Sequence, residues 1–316
     1  MENKKYFASA NTNKGFENNF NNILDYSRPS FRYVIKGGSG TGKSTLMKKV
    51  ADYFINKGEI VEFFYCSSDK DSLDGIRLAN KNIAIVDGTA PHITEAELPE
   101  IDDSIVNVGQ FIGESVKNYE KEIKELVLYK KKIYSDIYNI LSAIGYLSLI
   151  NDDVREDVVD KNLEILKTIS LKGAEGKKRE LFITSIAEDG LFSYENQFKN
   201  TVELNANTLE FEKIMKMYLN ILDNARVNYI KFKSITNSSF TQGIYINDSD
   251  VYITKLKCLN KFSDVCDDLL KVAGEKIKEA KILHKKIEKY YIESMNFEGL
   301  DKLTDDLIQR INRINY

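Results

Sequence analysis

Apolar positions in the first hundred residues fall in short runs divided by polar turns. Arg32-Tyr-Val-Ile-Lys36 predicts a short buried strand, and from Thr45 to Phe54 the apolar residues recur at helical spacing. Glu59-Ile-Val-Glu-Phe-Phe-Tyr-Cys66 predicts a second strand and Asn82-Ile-Ala-Ile-Val-Asp87 a third. Beyond Gly109-Gln-Phe the period changes. Ile112, Val116, Tyr119, Ile123, Leu126, Ile133, Ile137, Ile140 and Ile144 keep a 4-3-4-3 spacing, interrupted only at Lys130 beside Tyr129. This heptad seam predicts a long helix over about 111–147 and a returning partner over 151–169.

The succession then repeats. Val34 to Val86 lies on Val202 to Thr254 with a constant offset of 168 residues, placing Leu46-Met47 on Ile214-Met215 and Gly75-Ile76 on Gly243-Ile244. Upstream the offset is 175, with Phe7 on Phe182 and Gly15 on Gly190. Strands are expected at 228–232 and 250–253. Leu269, Val272, Ile277, Ala280, Leu283, Ile287 and Tyr290 then predict a second long helix, with 300–314 as its return. The expected architecture is α/β: a lobe over 1–110, a helical hairpin over 111–177, a second copy of the lobe over 178–257 and a second hairpin over 258–316. The hairpins serve either as packing elements or as arms that grip a protein partner.

Candidate chemistry concentrates in the first copy. The strand ending at Lys36 runs into Gly37, Gly38, Ser39, Gly40, Thr41, Gly42, Lys43, Ser44 and Thr45, which is G-x-x-x-x-G-K-S between a strand and a helix. Glycines let consecutive amides turn inward as an anion nest, and the helix adds its positive end. In such a loop Lys43 reaches the outer phosphates of a nucleotide and the Ser44 hydroxyl ligates Mg²⁺. A carboxylate at the end of a neighbouring apolar strand completes the metal site, and Asp87 fits, although an aspartate before Gly88 also suits a plain turn. His92 follows in the next loop and is a candidate, alongside Asp69 and Asp71, to position the attacking group. Ser67 to Gly75 reads as a loop with carboxylates Asp69, Asp71 and Asp74. If its strand neighbours the glycine-loop strand, Asp69 or Asp71 can orient an attacking group; otherwise it is a solvated acidic turn. The second copy lacks these groups: Asn205-Ala-Asn-Thr-Leu-Glu-Phe-Glu212 stands opposite the loop and Lys255 opposite Asp87.

Composition narrows the classes. The 316 residues carry 45 Lys and Arg against 48 Asp and Glu, net −3, so no overall basic field recruits nucleic acid. No apolar run is long enough to span a membrane, and the polar start lacks a signal-peptide core, which makes the cytoplasm the expected compartment. Three cysteines form no disulfide framework. Cys66 reads as a small buried residue, and Cys258 with Cys266 makes a poor zinc site.

Lys36 to Thr45, Cys66 to Gly75 and Ile85-Val-Asp-Gly-Thr-Ala-Pro-His92, with Phe7-Ala-Ser-Ala and Lys14-Gly-Phe, resemble a largely uncharacterised group of tandem P-loop ATPases of spore-forming Firmicutes. The likeness is close over about residues 4–108 and looser beyond. It implies ATP binding in a cytosolic bacterial protein, but both halves of that group usually carry a P-loop, and here the second has lost it. The expected function is Mg²⁺-dependent ATP binding with hydrolysis. A small-molecule or nucleotide kinase, disfavoured by the lack of a lid arginine pattern, and a non-hydrolysing nucleotide switch are the alternatives.

Overall fold

A computed structural model describes residues 3–150, 152–173, 175–256 and 262–314. In chain order the elements are β1 (Lys4–Tyr6), β2 (Ser9–Thr12), β3 (Gly15–Asn18), β4 (Phe31–Lys36), α1 (Lys43–Ile55), β5 (Val61–Cys66), β6 (Asp69–Leu78), β7 (Ile83–Asp87), β8 (Asp103–Asn107) and α2 (Glu120–Leu147). Then come α3 (Glu156–Lys167), β9 (Lys178–Leu181), β10 (Thr184–Ala187), β11 (Gly190–Ser193), β12 (Asn200–Leu204) and α4 (Thr208–Asn224). The last are β13 (Tyr229–Lys233), β14 (Thr241–Ile246), β15 (Val251–Lys255), α5 (Ser263–Ile292) and α6 (Phe297–Arg313). The fold is mixed α/β.

These elements form two compact units. The first holds the chain up to Ala10, Asn18–Asp136 and the residues from Glu275 on; the second holds Asn11–Glu17 and Ile137–Gly274. The helical stretches 111–177 and 258–316 are thus each divided between the units, at Asp136 and at Gly274.

The first unit is built on a six-stranded sheet, ordered β1-β5-β6-β7-β4-β8. β4 runs parallel to both β7 and β8, and β6 is antiparallel to β5 and β7. Tyr33, Ile35, Ile76, Ile83 and Ile85 from the sheet pack with Leu46, Val50 and Phe54 of α1. α6 closes this core with Leu300, Leu307 and Ile311, whose 7- and 4-residue spacing makes one helical face. The second unit has a five-stranded sheet, β12-β15-β14-β13-β9, in which β14 is the antiparallel strand. There α3 buries Val159, Leu163 and Leu166 against Phe211, Tyr218 and Leu222 of α4.

Taken from the opposite end, the second strand order is the first without β8. The pairings coincide residue by residue. Val61 opposite Leu78 corresponds to Tyr229 opposite Ile246, and Phe64 opposite Gly75 to Phe232 opposite Gly243. The bulge after Phe64 recurs after Phe232. At the 175-residue offset, Tyr6 opposite Phe64 corresponds to Leu181 opposite Phe232, and Gly15 and Gly190 share positive φ values of 109° and 102°. One detail departs from a constant offset. Ile35 pairs with Asp87 and Leu204 with Lys255, a step of 169 between the first members, so the loop after β12 is one residue shorter than that after β4.

The long helices take partners other than their expected returns. Within the first unit α2 lies antiparallel to α5: the Tyr129 hydroxyl donates to Glu279 at 2.7 Å, and Lys276 pairs with Asp136 at 2.7 Å. The predicted returns are used elsewhere, α6 against α1 and α3 against α4. The first long helix also begins later than 111, because the backbone near Gly113 is committed to another partner. Gly113 N–H donates to Ser294 O and Asn296 N–H to Phe111 O, so 3-10 turns precede Glu120.

The α4 N-terminus shows how the second unit fills the place that the glycine loop occupies in the first. Asn207 and Glu210 form a capping box: the Asn207 side chain accepts from Glu210 N–H, and the Glu210 carboxylate accepts from Asn207 N–H. Arg155 Nε adds a bond of 2.7 Å to this buried carboxylate and holds its pKa below the usual value despite burial. A group with a lowered folded-state pKa stabilises the fold above its unfolded pKa and loses that contribution as the pH falls through the folded one. Glu210→Gln is therefore expected to lower the thermal midpoint by a few degrees at pH 7. That difference should shrink as the pH drops below the carboxylate range, which thermal scans across pH would record.

Candidate functional site

β4 carries its residues buried through Ile35 and delivers the chain to the loop Gly37 to Gly42 at the carboxyl edge of the sheet. Gly40 and Gly42 have φ of +70° and +82°, a left-handed backbone that disfavours other residues, and Gly42 caps α1. Lys43 Nζ donates to Gly38 O at 2.7 Å and Gly37 O at 3.3 Å, and lies 3.5 Å from Asp87 Oδ2. Thr41 Oγ donates to Gly38 O. Ser44 Oγ accepts from Leu73 N–H at 3.0 Å, which leaves its own proton and a lone pair for other use. Ser39 is half-buried and Thr45 exposed.

The loop glycines are also demanded by packing that the sequence did not reveal. A Cβ on Gly38 would lie 2.7 Å from the Tyr291 ring, and one on Gly40 would lie 2.8 Å from Glu288 O. The α5 C-terminal turns thus sit directly on the loop. Glu288 has its carboxyl pKa lowered, first by its bond to His284 and further by the charges of Lys43 and Lys130.

Asp87 ends β7, the parallel neighbour of β4, and its Oδ1 accepts from Thr89 N–H. Thr89 Oγ in turn accepts from Gly37 N–H, tying the two loops together. Beside Asp87 stand Asp74 and His92, both buried, and one ligand atom from each of the three lies within 4.8 Å of the others. His92 Nε2 is 3.5 Å from Asp74 Oδ2, and Ser9 Oγ approaches His92 Nδ1 at 3.3 Å and Asp74 Oδ2 at 3.4 Å. Burial raises the Asp74 pKa, as does the Asp87 charge, while His92 opposes the rise. Lys36 anchors the following loop through Gly88 O and Thr94 O.

The structure therefore brings together Lys43, Ser44, Asp87 and His92 but not Asp69 or Asp71. The stretch expected as a loop is largely strand β6, and β5 is separated from β4 by β6 and β7. Asp69 sits at the β5–β6 turn with Lys281, 3.4 Å away, and Asp71 offers its backbone oxygen to Lys48. From the same stretch it is Asp74 that lies beside Asp87. Gly75-Ile-Arg-Leu78 is the part of strand β6 paired with β7, and it carries Asp74 next to Asp87. Ser9 lies in the Phe7-Ala-Ser-Ala stretch, whose residues carry no pattern that marks a site. Burial pushes the Cys66 thiol well up, in keeping with a packing role; Cys258 lies outside the described residues.

Comparison with known proteins adds one likeness. The family described as Nephrocystin 3, N-terminal, matches residues 16–145, less than half of the chain. That segment contains the glycine loop, Asp74, Asp87 and His92. It is not the tandem group that the motifs resemble, and no comparison names that group. No curated protein and no solved structure matches. Among the described residues no helix is long and apolar enough to cross a membrane.

Proposed function

We propose that the first unit is a P-loop nucleotide-binding lobe that takes Mg·ATP and hydrolyses it, and that the second is a duplicated copy without a nucleotide site. The observation that carries this reading is the Lys43 ammonium held at the mouth of a glycine loop, 3.5 Å from a carboxylate at the end of the adjacent parallel strand. Left-handed Gly40 and Gly42 and the first amides of α1 suit a phosphate chain. Ser44 and Asp87 are the oxygen donors that would hold Mg²⁺, which supplies charge neutralisation on the phosphates when bound. Lys43 would then exchange its carbonyl contacts for phosphate oxygens. His92, kept against Asp74, is a titratable group beside the site that would position a water or a hydroxyl.

The coincident strand pairings and the shared bulge support duplication. In the second copy Glu212 accepts from Thr241 N–H where Ser44 accepts from Leu73 N–H, so the scaffold contact persists while the chemistry changes. Isothermal titration of the full chain with ATP, with and without Mg²⁺, tests the reading. One ATP bound per chain, tighter with Mg²⁺, is expected; two sites or none would count against it.

A nucleotide switch is the second reading, favoured by the contacts of Tyr291 and Glu288 with Gly38 and Gly40. Amide hydrogen exchange in the α5 C-terminal turns and α6 that changes on adding Mg·ATP, without ADP formation, would select it over hydrolysis.

A further inference from the structure

Asp74 and Asp87 sit on adjacent antiparallel strands, immediately beyond the last ladder pair, Gly75 with Val86. Two buried like charges side by side are costly unless a cation offsets them. The second unit shows that the fold does not require them. By the strand register, Asp74 corresponds to Gln242, Asp87 to Lys255 and Ser9 to Thr184. There the Gln242 amide reaches Thr184 and Glu195, and Lys255 donates to Thr208. The same backbone thus packs with an amide and an ammonium where the first unit keeps two carboxylates and adds His92.

We propose that Asp74, Asp87 and His92 form a binding site for a divalent first-row transition cation, with Ser9 orienting the imidazole. His92 Nε2 and Asp74 Oδ2 stand 3.5 Å apart, at the long limit of a hydrogen bond. Ligand atoms around a cation with bonds of about 2.1 Å stand about 3 Å apart at adjacent positions and about 4 Å apart at opposite ones. The three groups, within 4.8 Å of one another, need only a small contraction to meet those values. The nitrogen donor shifts the preference from Mg²⁺ toward Mn²⁺, Fe²⁺ or Zn²⁺. Ser9 Oγ at His92 Nδ1 is the outer partner that fixes which ring nitrogen faces the ion.

The site shares Asp87 and His92 with the proposed nucleotide site but does not depend on nucleotide. Because Lys43 also neighbours Asp87, a bound cation competes with its ammonium. The test is titration of chelator-treated full chain with Mn²⁺ alone, read by loss of the free Mn²⁺ electron paramagnetic resonance signal. The wild type should bind one Mn²⁺. His92→Gln and Asp74→Asn should each weaken binding at least tenfold with unchanged circular dichroism, and Lys43→Ala should tighten it. Absence of stoichiometric binding, or binding indifferent to His92→Gln, would overturn the assignment. The nucleotide reading is judged separately, by ATP binding in Mg²⁺, so either can fail while the other stands.

Discussion

Lys43→Ala should cost the chain roughly a hundredfold or more in affinity for Mg·ATP. Its ammonium is the cation placed at the loop mouth, and truncating one partner of a largely desolvated charge pair costs about 2–5 kcal/mol, where 1.4 kcal/mol is tenfold. Lys43 is mostly buried, its side chain 11% exposed, so little solvent screening softens the loss. Far-ultraviolet circular dichroism should be retained, because the side chain contributes to neither hydrophobic core. A titration of the variant with Mg·ATP measures the effect directly.

Gly40→Ala should damage the first unit itself. The substitution forces a methyl group into a left-handed residue and brings it within 2.8 Å of the Glu288 carbonyl oxygen, a backbone atom that cannot swing aside. Backbone strain of about 1–3 kcal/mol adds to an overpacking cost of similar size, so a loss of about 3 kcal/mol in denaturant unfolding is expected. Gly58 is the control. Its φ is +83°, but nothing lies within 4 Å of the methyl that alanine would add, so Gly58→Ala should incur the strain alone. Equal losses for the two variants would mean that α5 does not rest on the loop in solution.

Much of the frame was legible because its periodicity is local. The strands around Val34, Phe64 and Ile85 and the helix from Thr45 declare themselves within a few residues, and the offset of 168 lays the second sheet on the first from sequence alone. Non-local placement was not legible. A heptad stripe on α6 looks the same whether it returns along α5 or closes the core over α1, and nothing in Phe297 to Ile314 names Leu46 or Phe54 as its partners. The acidic segment misled for a different reason. Asp69, Asp71 and Asp74 suggest a turn by composition, yet β pairing with Val61 to Cys66 overrides that preference and sends Asp74 inward while leaving the other two at the hairpin end. The descent of α5 onto Gly38 and Gly40 has no local signature at all.

ADP formation from Mg·ATP, measured for the purified wild type and Lys43→Ala side by side, tests the central claim most directly. A hydrolytic site at the glycine loop requires turnover by the wild type and none by the variant. Equal turnover by both would place the chemistry somewhere other than the glycine loop and contradict it.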